Sequence, residues 1–149
     1  NYRLTDLQAA IVRVQLKRLK SIIKKRRFLA SKYFDLFKTC NLISLPKEPN
    51  WAKSNWQSFC IRLDQKVNQR DVMQYLLDCQ ISTRKGIMCA HLEPAYENWH
   101  TENDKQDYSK LQYSETCTKT SIQLPLFHEL KENEQYYITE KIKAYIERI

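Results

Sequence analysis

Apolar side chains recur along the first third of the chain at Val12, Leu16, Leu19, Ile23, Ala30, Tyr33 and Phe37, in alternating steps of four and three. Arg26 is the one polar member of that series, and Ile22, Leu29 and Leu36 widen it. This is the period of an α-helix, and neither Gly nor Pro interrupts the chain before Pro46. A helix of about 30 residues or more is therefore predicted. Its start is marked by Thr5-Asp6-Leu7-Gln8. In such a capping box the Thr hydroxyl accepts from a backbone N–H three residues on, while Gln reaches back. Leu7, Ile11 and Val14 form a second short stripe on another side of the helix. A helix with two apolar faces has two bodies to touch, and both need not come from this chain.

Past a loop from Leu45-Pro46 to Asn55, large apolar and polar residues alternate from Trp56 to Leu63, which reads as a strand. Arg70 to Cys79 carries Val72, Met73, Leu76 and Leu77 at helical spacing. Gln80 and Ile81 to Arg84 read as a short strand start ending at Gly86, and Cys89 to Ser121 as polar and aromatic sequence with one or two short helices. Gln123 to Leu126 resembles a strand broken by Pro125, and Glu132 to Ile149 a terminal helix. The order is that of an α+β fold: a long N-terminal helix and a small, mainly antiparallel sheet covered by helices. The whole of 1–149 is read as one domain, with residues 1–40 as a long linking helix.

Composition narrows the picture. Leu, Ile, Val and Phe supply 37 of the 149 residues, enough apolar mass for a core. No apolar run approaches the roughly 20 residues of a membrane helix, so no membrane partner is expected. The one glycine, Gly86, excludes Gly-rich phosphate loops. Five cysteines at irregular spacing, without a Cys-x-x-Cys pair, suit reduced and mostly buried thiols rather than a disulfide framework or a metal site. The net charge of +8 is local: residues 13–38 hold ten Lys or Arg against Asp35 alone, or +9, so the remainder is close to neutral at −1. Such a stripe suits either a solvated helix face or a polyanion partner. The aromatics do not interleave with these cations as base-stacking platforms would, so nucleic acid is not the favoured partner.

Three runs combine groups able to bind a ligand. Asn1-Tyr2-Arg3 places an amide and a guanidinium just before a helix start, where an anion is favoured. Thr83-Arg84-Lys85-Gly86 is a basic turn after a strand, and His91-Leu92-Glu93-Pro94-Ala95-Tyr96 offers an imidazole and a phenol. No serine elbow or paired carboxylates mark a catalytic centre.

Taken together, these runs resemble the DegT/DnrJ/StrS sugar aminotransferases. The resemblance rests on Asn1 to Ile11 with Val14 to Leu19, Trp56-Gln57-Ser58-Phe59 with Ile61-Arg62-Leu63, Ile81 to Met88, His91 to Tyr96, and Leu124-Pro125-Leu126. It implies the small domain of the aspartate-aminotransferase type fold, in an enzyme that uses pyridoxal 5'-phosphate (PLP) to move an amino group onto a nucleotide-linked keto sugar. It also implies cofactor-binding roles for Asn1 and Arg3, at a site shared with a neighbouring subunit, and substrate-side positions for His91, Tyr96 and Arg84. The family's Schiff-base lysine motif is missing, so no catalytic residue is assigned. This chain is expected to be the C-terminal part of a cytoplasmic, homodimeric enzyme, without its large domain, binding no PLP and inactive alone. Its expected partners are its own N-terminal domain, a second subunit, a nucleotide-sugar and an amino donor; the resemblance also implies that Leu7, Ile11 and Val14 pack on the large domain and the later stripe on this domain's sheet. A basic-helix nucleic-acid-binding module and a non-catalytic scaffold derived from such an enzyme are the alternatives.

Overall fold

A computed structural model describes residues 3–96 and 111–148. Helix α1 runs Asp6–Phe37, and the cap is the predicted one: Gln8 N–H donates to the Thr5 hydroxyl and Thr5 N–H to the Gln8 amide oxygen. Strands β1 (Ile43–Ser44) and β2 (Phe59–Leu63) follow, then α2 (Gln69–Asp78), β3 (Arg84–Lys85), two 3-10 turns (Ala90–Leu92 and Pro94–Tyr96), α3 (Gln112–Thr120), β4 (Ser121–Leu124) and α4 (Glu132–Ile146). The four strands pair antiparallel in the order β1-β2-β4-β3, with Ile61 opposite Ile122 and Phe59 opposite Leu124.

One face of this sheet holds the core. Phe59, Ile61 and Leu63 alternate inward along β2 and meet Ile122 and Leu124 of β4. Leu29, Ala30, Tyr33 and Phe37 from α1, Val72 and Leu76 from α2, and Ile138, Ile142 and Ile146 from α4 join the same buried cluster. The Tyr33 ring lies 4.9 Å from that of Phe59, and its hydroxyl donates to the carbonyl of Pro125 at 2.9 Å. Burial pushes that phenol well above its usual range. Gln135 of α4 donates to the Leu29 carbonyl at 2.6 Å, tying the two long helices together by a buried polar contact.

The structure corrects the reading of the later α1 stripe. Val12, Leu16 and Leu19 are exposed, Ile22 and Ile23 are half-buried, and full burial begins only at Leu29. The reason is length. Thirty-two residues span roughly 48 Å, whereas a five-residue strand spans only roughly 17 Å, so the helix outruns the sheet. The thiols are also less buried than expected: Cys89 is buried, Cys40, Cys60 and Cys79 are half-buried, and Cys117 is exposed.

Two local corrections concern backbone. The strand expected from Trp56 begins at Phe59, because Trp56 has φ 49° and turns the chain there. Helix α2 closes with Gln80 at φ 62°, with Gln80 N–H bonded to Leu77 O and Ile81 N–H to Leu76 O, a Schellman arrangement on a residue other than glycine. Arg26, the polar member of the apolar stripe, donates to the Gln57 carbonyl at 2.9 Å and to that of Trp56 at 3.4 Å. Beside it, Arg27 makes a bidentate pair with Glu48 at 2.7 and 2.9 Å, and Glu48 also accepts from Ser54 N–H.

Two outcomes follow from this packing. A Cβ on Gly86 would stand 2.6 Å from the Cβ of Ser121, while Gly86 N–H is bonded to the Ser121 carbonyl at 2.8 Å. Neither atom can swing aside, so Gly86→Ala is expected to cost about 1–3 kcal/mol in urea unfolding; an unchanged midpoint would mean that β3 can leave its place. The Glu48 carboxyl is held down to about 2, first by the Arg27 hydrogen bonds and then by Ser54 N–H. A depressed carboxylate stabilises fully above its ordinary value of 4.5 and loses that contribution as pH falls through about 2. Unfolding free energy measured between pH 5 and pH 2, as an order-of-magnitude window, is expected to fall less steeply for Glu48→Gln than for the parent chain.

Candidate functional site

The sheet positions Arg84 on its edge strand β3, opposite Gln123 of β4. Its side chain lines a cavity of about 240 Å³ together with Gln57, Ser58, Ser82, Gln123 and the run Leu124 to Leu126. Three of the runs that carried the resemblance, separated by up to 60 or more residues in sequence, therefore meet at one place. The lining is polar, with one guanidinium among amides and hydroxyls, and suits an anionic or hydroxyl-rich ligand.

The next segment is held by the backbone of β4 and by side chains from α3. Gly86 N–H bonds to Ser121, Thr118 donates its hydroxyl to the Ile87 carbonyl at 2.7 Å, and the same hydroxyl lies 3.0 Å from the Cys89 thiol. His91, in the first 3-10 turn, places Nε2 3.1 Å from a Glu115 carboxylate oxygen, with the two side chains 13% and 30% exposed. That contact fixes the orientation of the imidazole ring against α3. Between these anchors Ile87 and Met88 project into solvent, as does Leu92 just beyond. A segment pinned by polar bonds while its apolar side chains face outward is built to meet another surface.

The predicted site residues are brought together only in part. Arg84 belongs to the polar cavity, and His91 lies against α3 and is not among that cavity's lining residues. Arg3 is exposed just ahead of the α1 cap. Tyr96 closes the second 3-10 turn in backbone, its side chain lying outside the description, and Asn1 lies outside the described residues. Sequence reasoning missed Glu115 and Thr118. They stand 24 and 31 positions from the groups they hold, His91 and the Ile87 carbonyl, and no spacing rule links them. Among the described residues no group of three or more His, Cys, Asp or Glu could hold a metal ion, and no helix is long and apolar enough to cross a membrane. The structure also turns two cations of the basic stripe, Arg26 and Arg27, onto the loop that precedes β2.

Comparison with known proteins identifies the family and the fold. The model of the DegT/DnrJ/EryC1/StrS aminotransferase family matches residues 1–143. A "Pleiotropic regulatory protein" of Geobacillus stearothermophilus is 30% identical over 149 residues, covering 97% of this chain and 38% of that protein. GDP-perosamine synthase of Vibrio cholerae is 36% identical over 104 residues, covering 66% of this chain and 27% of that one. Helicobacter pylori PseC, an aminotransferase involved in the biosynthesis of pseudoaminic acid, superimposes with a TM-score of 0.85 at 20% identity, over all of this chain and 39% of its own. The chain thus spans between about a quarter and two fifths of the length of these relatives.

One expectation follows from the anchored segment. Thr118→Val keeps the shape and removes the hydroxyl, leaving the Ile87 carbonyl without its donor. It is expected to cost about 1 kcal/mol and to speed amide hydrogen exchange in residues 86–92 more than elsewhere. Equal protection in both proteins would show that this hydroxyl does not hold the segment.

Proposed function

The chain belongs to the DegT/DnrJ/EryC1/StrS aminotransferase family, and from that premise we propose that it is the small, C-terminal domain of a PLP-dependent aminotransferase acting on a nucleotide-linked keto sugar. In this reading the enzyme is a cytoplasmic homodimer that makes precursors of cell-surface polysaccharide or glycan. Arg84, His91 and Tyr96 serve the substrate side, and Asn1 and Arg3 the coenzyme phosphate.

The observation that carries the proposal is the uncovered half of α1. Leu7, Ile11, Val14 and Leu16 are 74%, 56%, 57% and 59% exposed, and Leu4, Val12 and Leu19 are exposed with them. A contiguous apolar surface of this kind marks an interaction site, and it continues the logic of the exposed Ile87 and Met88. A large domain seated against that half of the helix accounts for both stripes.

The coenzyme test points the same way. PLP supplies an electron sink for the carbon that exchanges its amino group, and the protein must hold it by a lysine. Among the described residues no lysine is buried, and none lines the cavity beside Arg84. The residues present fit the rim of a coenzyme site, where they bind and orient, and not the cradle of its ring. We therefore assign the lysine and the ring contacts to the large domain.

Reconstitution tests this. The 149-residue chain is mixed with the PLP-loaded large domain of a family relative, and binding is followed by sedimentation. Association is expected, and Leu7→Glu with Ile11→Glu is expected to abolish it without shifting the thermal transition, because those side chains are exposed in this chain. The chain alone is expected to self-associate through the same face and to leave the absorbance of added PLP unchanged. A strictly monomeric chain, or a new coenzyme band from the chain alone, overturns the reading.

A further inference from the structure

Across β3 from the Arg84 cavity lies a larger one, of about 630 Å³, between the turn that leads into α2, the start of α2, β3 and α3. Lys66 of the turn, Arg70 of α2, Lys85 of β3 and Lys119 of α3 all line it, and no carboxylate does so among the described residues. Three stretches separated in sequence (the turn with the start of α2, β3, and α3) thus contribute four cations to one space. None of the four is paired with an acid among the described residues. Outside residues 13–38 the chain is close to neutral, so general basicity does not explain the gathering.

Most of the other polar groups around the cavity are already committed, the Gln65 amide excepted. Asn68 accepts from Arg70 N–H and Asp71 N–H, so the amides at the start of α2 are taken. The buried Gln69 amide donates to the carbonyls of Thr118 and Ser121 at 3.0 and 2.6 Å, which locks α2 to α3 and β4. Thr118 and Thr120 donate their hydroxyls to the backbone at Ile87 and Thr116. The uncommitted donors thus include the four exposed cations and the Gln65 amide, and like charges gathered this way repel until an anion completes them. A second space of about 530 Å³ adjoins the first through Lys66 and adds Arg62 beside Asp64.

We propose that this cavity is an anion site for a small molecule bearing two or more linked phosphates, separate from the Arg84 face. Its volume lies in the range of small-molecule sites, and its charge matches a pyrophosphate group. Cations that surround a cavity, rather than tracking along a groove, favour a compact polyphosphate over a nucleic-acid strand. The inference rests on charge and shape and stands whether or not the chain completes an aminotransferase.

Titration of the full 149-residue chain with inorganic pyrophosphate, followed by amide shifts at about 0.15 M salt held constant, tests it. Binding with a Kd below about 1 mM is expected, with the largest shifts in residues 65–70, 85 and 118–120. Orthophosphate is expected to bind at least about tenfold more weakly. Lys85→Gln with Lys119→Gln, both exposed side chains, is expected to weaken pyrophosphate about tenfold or more while leaving the remaining spectrum in place. Lys17→Gln with Lys20→Gln on α1 is expected to leave affinity unchanged. Shifts centred on residues 13–38, loss of binding in the α1 variant alone, or no saturation by about 10 mM pyrophosphate overturns the proposal.

Discussion

The constraint on which the rest of this molecule depends is a mismatch of lengths. An α-helix advances 1.5 Å per residue, so α1 reaches roughly 48 Å, while the sheet beneath it has four short strands and none among the described residues exceeds five residues. Only the C-terminal third of the helix can find core, and it does so with Leu29, Ala30, Tyr33 and Phe37. The N-terminal half keeps its apolar periodicity without a surface among the described residues to satisfy it. Helical propensity and the Thr5 cap hold that half in shape, but burial does not.

Where α1 does meet the domain, shape and polarity are both specified. Aromatic rings of Tyr33, Phe34, Trp56 and Phe59 contact one another at 4.9–5.7 Å in tilted and edge-on arrangements. Around them the buried polar atoms of Tyr33 and Gln135 reach backbone carbonyls across the core. An apolar cluster alone tolerates sliding; a phenol that must find Pro125 and an amide that must find Leu29 do not. The register of α1 against the sheet and α4 is set by those two bonds.

Much of this was legible in the order of residues. The cap at Thr5, the long helix, α2 and α4 follow from periodicity and end signals that act over a few positions, and local rules report local forces. β1 was not foreseen, because a two-residue strand carries no period, and its pairing to β2 depends on tertiary contact alone. Trp56 read as the start of a strand because alternation records which side chains are apolar and is blind to the sign of φ. The site was legible as motifs and not as geometry. Arg84, Gln57 and Ser58 were visible in the runs that carried the resemblance, whereas the grip of Glu115 on His91 spans a connection no pattern describes.

Arg26 joins these themes in a mechanical way. Its guanidinium holds the carbonyls of Trp56 and Gln57, the point at which the chain reverses, and Gln57 is also a wall of the space beside Arg84. The helix and the rim of that space are thus connected by a strut rather than by soft packing. A body that grips the free end of α1 and rolls it, as a lever arm is rolled, would tug on the Arg84 rim through this side chain and through the Tyr33 bond to Pro125.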